Sequence, residues 1–232
     1  MPAYFEVNFQ YSKKADTVKS AVEDFYTALL QCGLSFQSGF MEAKNDSLAD
    51  IIQWNQKKLD ENFELDYTEH CSHDYKQVLF SFHDFSEARV FIQNVKNFDS
   101  VFFMLIIPEA EFVDYTDGHE GNNENAVPKT LFNLTDNTVI KYSIIKKPER
   151  MALIKDLIIH MWEIGGMNAI QTGWEGSDYP ARFDQLVQGA QPNIEPICIV
   201  PQDIVRPEWD CGQTAIERGG VLLENDENWF PE

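Results

Sequence analysis

The stretch Val7-Asn8-Phe9-Gln10-Tyr11-Ser12-Lys13-Lys14 decides the reading of this chain. It returns as Ile140-Lys141-Tyr142-Ser143-Ile144-Ile145-Lys146-Lys147, at an offset of 133. Apolar residues alternate in both copies with the period of a half-buried strand. A helical stripe follows each copy: Val18, Ala21, Val22, Phe25, Ala28 and Leu29 in the first, and Met151, Ile154, Ile158, Met161 and Trp162 in the second, where Lys155 is the departure. One extra residue in the turn moves the offset to 134, after which Gln37-Ser38-Gly39-Phe40 matches Gln171-Thr172-Gly173-Trp174. These endings come a few residues past helix-stopping glycines, Gly33 in one copy and Gly165-Gly166 in the other. The pattern predicts an internal duplication in which residues 4–40 superpose on 137–174 as strand, helix, strand, with Phe25 and Ile158 equivalent.

Working outward, Asp46 or Ser47 is placed to cap a helix that buries Leu48, Ile51, Ile52 and Leu59. Val78, Phe80 and Phe82 alternate as a strand, and Asp84 with Glu87 reads as a capping box before a helix carrying Ala88, Phe91, Ile92 and Val95. Val101 to Ile107 is apolar on both faces, so this strand belongs in mid-sheet or under a partner domain. Tyr115 to Pro128 has linker composition. Beyond it the reading is strand 137–145, helix 148–164, strand 168–174, helix 179–188, strand Ile194–Val200, a short helix 213–218 and a last strand at Val221-Leu222-Leu223. Pro196 restricts its strand to an edge or to a start just after it.

The expected fold is therefore α+β: tandem duplicated ferredoxin-like (α/β-plait) units, each a sheet covered mainly on one face by helices. The units span 1–113 and 129–232, the second a shortened repeat, joined by an acidic Gly/Asn-rich linker at 114–128. A three-layer α/β sheet is the alternative, and the polar Asn8 and Gln10 between apolar strand neighbours argue against it.

Composition bounds the function. The 232 residues hold 38 acidic against 18 basic side chains, a formal charge of -20. Such a surface repels phosphate backbones and anionic lipid, so nucleic acid and membrane are not the expected partners. No apolar run is long enough to span a bilayer and the first residues lack a signal peptide's pattern, so a cytoplasmic protein is expected. Cys32, Cys71, Cys198 and Cys211 are too few and too irregularly spaced for a disulfide framework. The acid is clustered: six carboxylates and no Lys or Arg lie in each of 60–74 and 109–124, and eight acids face two arginines over 203–232.

Constellations for chemistry are thin. His70-Cys71-Ser72-His73 gathers ligand-type side chains, but no second pair stands at a zinc-site spacing, so His70, Cys71 and His73 are weak metal candidates and no cofactor is expected. No nucleophile elbow, Walker lysine or dinucleotide-binding glycine motif is present, and Gly165-Gly166 and Gly219-Gly220 read as helix stops. Catalytic residues are not assigned. Two aromatic patches among acids remain, Trp174 to Tyr179 and Glu224 to Phe230, and Trp174 reads as core.

The leading expectation is an acidic protein-binding module, of the kind an immunity-type or antitoxin-like inhibitor of a basic nuclease toxin would be. Its partner-binding residues would be Asp114, Asp117, Glu120, Glu124, Glu224, Asp226, Glu227 and Trp229. One alternative is an enzyme or small-molecule binder with its site between the two halves. The other is a structural or adaptor subunit that uses the apolar strand around Phe103 as a contact.

Overall fold

The computed structural model describes residues 4–14, 18–64, 75–96, 98–117, 126–133, 138–175 and 180–225. In chain order they form β1 (Tyr4–Ser12), α1 (Ala21–Gln31), β2 (Ser35–Gly39), α2 (Leu48–Asp60), β3 (Val78–Ser81), β4 (Ala88–Gln93), β5 (Ser100–Pro108) and β6 (Val113–Asp117). Then come β7 (Ala126–Asn133), β8 (Thr138–Lys146), α3 (Pro148–Ile164), β9 (Ala169–Trp174), α4 (Phe183–Val187), β10 (Ile197–Pro201), β11 (Gly212–Ile216) and β12 (Gly220–Glu224). Nine strands make one sheet in the order β11-β12-β10-β9-β1-β5-β4-β3-β2, and β6-β8-β7 make a second. Every ladder between these strands is antiparallel, and one isolated parallel bridge joins Thr172 to Ile194.

This overturns the tandem plait. Among the described residues strand exceeds helix, and β1 pairs with β9 from Phe5↔Trp174 to Gln10↔Ala169, so both halves build one sheet. Antiparallel ladders throughout also remove the parallel three-layer alternative. The order strand, helix, strand does recur, as β1-α1-β2 and β8-α3-β9, but the members are not equivalent. β1 lies between β5 and β9 in the large sheet while β8 lies between β6 and β7 in the small one, and β2 is an edge where β9 is interior. Phe25 and Ile158 are both fully buried, yet in a single shared core. Two amphipathic helices packed on the same sheet face need the same apolar spacing, which accounts for the resemblance without duplication.

Local chemistry explains most elements. Ser47 caps α2: its Oγ accepts from the Asp50 amide at 3.2 Å, and the Asp50 carboxylate accepts from the Ser47 amide at 3.3 Å, a reciprocal cap that contributes about 1 kcal/mol. Pro148 opens α3, and Gly165 and Gly166, both at positive φ, stop it. β5 lies between β1 and β4 with Ser100 to Ile107 buried, so its two apolar faces are satisfied within this chain. β10 begins directly after Pro196. Two segments read as helices are strands. In β4, burial alternates with Ala88, Val90 and Ile92 inward, and β11 is an edge hairpin strand. Both ends of the stretch read as a linker also pair, Tyr115 to Asp117 in β6 and Ala126 to Pro128 in β7.

One face of the large sheet carries α1, α2 and α3 over an aromatic core. Phe25 meets Phe9, Phe103 and Tyr11 at ring-centroid distances of 5.2, 4.5 and 6.2 Å. The other face was expected to be solvated at Asn8 and Gln10, but they are 2% and 0% exposed. The reason is a segment distant in sequence. The Ala181 carbonyl accepts from Gln10 Nε2 and from Gln171 Nε2, both at 2.7 Å, and Gln171 Oε1 accepts from the Asn193 amide at 2.8 Å. A second cluster including Leu186, Cys198, Trp209 and Leu223 continues this cover. Among the described residues no helix is long and apolar enough to cross a membrane.

On that covered face, burial raises the pKa of Glu6 above its ordinary 4.5, with Glu175 adding to the rise and an Asn8 hydrogen bond opposing it. A carboxyl whose pKa is higher folded than unfolded is most favourable to folding below its unfolded value. That contribution is lost as pH rises through the window up to the folded value, and the deficit stays constant above it. Glu6→Gln is therefore expected to raise Tm at pH 7, with the gain vanishing as the pH falls below the ordinary carboxylate value. Thermal melts across this range check it, and a lower Tm at pH 7 would show that the ionised carboxylate is stabilising.

Candidate functional site: an acidic rim at the start of α3

After β5 the chain makes a 3-10 turn at Glu109–Glu111, buries Phe112 and Val113, and enters β6. Phe112 is the anchor, packed on Phe5 at 4.7 Å and Trp174 at 6.0 Å between ring centroids. With that residue fixed, the flanking carboxylates are held at the surface beside the N-terminus of α3. The Phe112 carbonyl accepts from the Lys147 amide at 2.8 Å, while Lys147 Nζ donates to the Ala110 carbonyl at 2.9 Å and pairs with Asp114 at 2.8 Å. Arg150 pairs with Asp84, one contact at 3.0 Å, reaches Glu111 at 3.9 Å and lies 5.0 Å above the Phe85 ring. Glu111 also accepts from the Ser86 amide at 2.8 Å.

Three carboxylates, Asp84, Glu111 and Asp114, thus pair with two cations, Arg150 and Lys147, and Glu109 stands at the start of the same turn. The Asp84 and Asp114 side chains remain 77% and 60% exposed, open to a further donor. The Arg150 guanidinium holds the Asp84 carboxyl below its usual range, so it is anionic at neutral pH. Tyr115, the next residue along β6 from Asp114, is 56% exposed and donates its hydroxyl to Glu109. Partial burial and the neighbouring Glu109 carboxylate push the Tyr115 phenol pKa upward, so it stays a donor.

Of the predicted partner-binding residues, Asp114 belongs to this rim, and Asp117 ends β6 beside it. Glu224 lies elsewhere, at the end of β12, paired with Lys155 at 2.7 Å. Glu120, Glu124, Asp226, Glu227 and Trp229 lie outside the described residues, as do His70, Cys71 and His73. Among the described residues no group of three or more His, Cys, Asp or Glu is placed to hold a metal ion. Trp174 is core, 4% exposed. Sequence reading missed Asp84, taken as a helix cap, and Tyr115, taken as linker. Asp84 meets Arg150 across 66 residues, so no local signal marks it.

A second feature is an open groove of about 1080 Å³ between the start of α1 and the outer face of α2. Trp54, 39% exposed, stands in it under the ammonium groups of Lys58 and Lys76, 5.3 and 4.7 Å from the ring centroid. Lys19, Lys57 and Lys76 line it together with Glu23, Asp50 and Asp60, so the lining has no dominant charge. It lies within the first half of the chain, not between the halves. No protein-family model matches this chain, and no curated protein and no solved structure matches it.

Proposed function

We propose that this chain is an acidic protein-binding module that occupies a basic site on a protein partner, in the manner of an immunity-type or antitoxin-like inhibitor of a nuclease toxin. The observation that carries the reading is Tyr115. It is an exposed aromatic on a paired strand, its hydroxyl donated to the Glu109 carboxylate, and it follows the exposed Asp114 in sequence. Tyrosine buries a large apolar area at small entropic cost and keeps a polar tip, which suits it to anchor an interface. The neighbouring anions would select and steer a basic patch. The net charge of -20 extends the same attraction beyond the contact.

The test is capture of a stoichiometric partner by the full chain at low and at high salt, beside a Tyr115→Ala, Asp84→Lys bait. The expected result is a basic protein retained at low salt, released at high salt, and lost or at least tenfold depleted with the variant bait. Equal retention by both baits would remove the rim from the interface. The groove beside Trp54 gives a second reading, as a binder of a small or peptide ligand, because it is concave and exposes an aromatic ring. A ligand retained in native mass spectrometry, and lost with Trp54→Ala, would favour it.

A further inference from the structure

The two sheets have four edge strands: β11 and β2 on the large one, β6 and β7 on the small one. Exposed edges invite another chain, and proteins blunt them with charge, proline or a bulge. β6 carries Asp114 and Asp117, and β7 carries Pro128 and Lys129. β2 has its register broken between Phe36 and Ser38. β11, Gly212-Gln213-Thr214-Ala215-Ile216, has none of these devices. It is uncharged, pairs in unbroken register with β12 over all five residues, and is exposed from Gly212 to Ala215. Among the described residues no main-chain hydrogen bond reaches its outer side. Alternate residues of such a strand point both N–H and C=O away from the sheet.

We propose that β11 is a homodimer interface, pairing antiparallel with β11 of a second copy across a two-fold axis at Thr214. The charges flanking the strand select a second copy as the occupant. A two-fold at Thr214 sets Gln213 opposite Ala215 of the other copy, and brings the Asp210 end of each strand to the Arg218 turn of the other. Asp210 is exposed, and Arg218, exposed in the turn between β11 and β12, donates one N–H to the Glu163 carbonyl and forms no ion pair among the described residues. Two symmetric Asp210–Arg218 contacts therefore close the ladder at both ends. An uncharged strand is also the surface on which two chains of charge -20 repel each other least. Because the contact is isologous it closes on itself, giving a dimer and no fibre.

Sedimentation velocity on the full chain, from about 1 to 500 µM, reads the dimer directly against the monomer mass of 26.8 kDa. A concentration-dependent species of twice that mass is expected. Thr214→Lys, which sets two ammonium groups face to face, is expected to raise the dissociation constant at least about tenfold, or 1.4 kcal/mol. Asp210→Arg alone and Arg218→Asp alone should each weaken the dimer, and the two together should restore it. Asp tolerates the left-handed backbone that Arg218 adopts, so the swap is compatible with the turn. A wild-type chain monomeric at every concentration overturns the proposal. So does a dimer that Thr214→Lys and the single charge reversals leave unchanged. If Thr214→Lys fails to fold by circular dichroism, the charge swap decides alone: rescue supports the pairing, and no rescue overturns it.

Discussion

Phe25→Ala is expected to cost about 3–5 kcal/mol of unfolding free energy, lowering Tm on the order of 10 °C. Phe25 is fully buried where α1 meets the middle of the large sheet, in ring contact with Phe9 on β1 and Phe103 on β5. Truncation leaves a cavity bounded by three elements of the same core, and strands held by two ladders each cannot collapse to fill it. Leu30→Ala on the same helix is the internal control, because Leu30 is 42% exposed and its loss should stay within about 0.5 kcal/mol. Urea unfolding of both variants measures the contrast. A Phe25→Ala cost below that of Leu30→Ala would mean that α1 does not pack on the sheet as described.

Reversing Asp114, Asp117, Glu120 and Glu124 to Lys is expected to slow association with the captured partner by about 10- to 100-fold at low salt, and to flatten its salt dependence. The change of eight charge units acts at long range, over a screening length of roughly 8 Å at physiological salt. Stability should move far less. The reversal breaks one described ion pair, Asp114 with Lys147, and an exposed pair of this kind contributes about 1 kcal/mol or less. Stopped-flow rates over a salt series, beside thermal melts, separate steering from folding. An unchanged rate with an unchanged salt slope would reduce these carboxylates to solvated surface and remove the main support for an inhibitor of a basic protein.

What could be read from the sequence is what is local in it. β1, β5 and α3 follow from short-range periodicity, and of Asp46 and Ser47, the two cap candidates before α2, Ser47 is the cap. β4 fits two periods at once. Ala88, Val90 and Ile92 alternate, while Ala88, Phe91, Ile92 and Val95 satisfy a helix, and only β3 and β5 on either side decide between them. β11 has no apolar pattern of its own and is a strand because β12 folds back along it. Asn8 and Gln10 suggested a wet face, since the carbonyl that buries Gln10 belongs to Ala181, 171 residues away. The rim is illegible for the same reason: Asp84, Glu111 and Arg150 come from three distant segments and meet only once Phe112 is anchored.

The ladder between β1 and β9 has a consequence for the order of synthesis. β1 is made first, yet it lies in the sheet interior and its residue Phe5 pairs with Trp174. At about 5–20 residues per second, the ribosome needs roughly 8–34 s to make the intervening chain. During that interval β5 arrives to pair one edge of β1, while the other edge waits for a strand still inside the ribosome. The nascent chain therefore presents a central strand with one open edge for much of its synthesis. The side chains of Glu6, Asn8 and Gln10 point to the sheet face that the Ala181 segment later covers, so until then that face of the incomplete sheet is polar at β1.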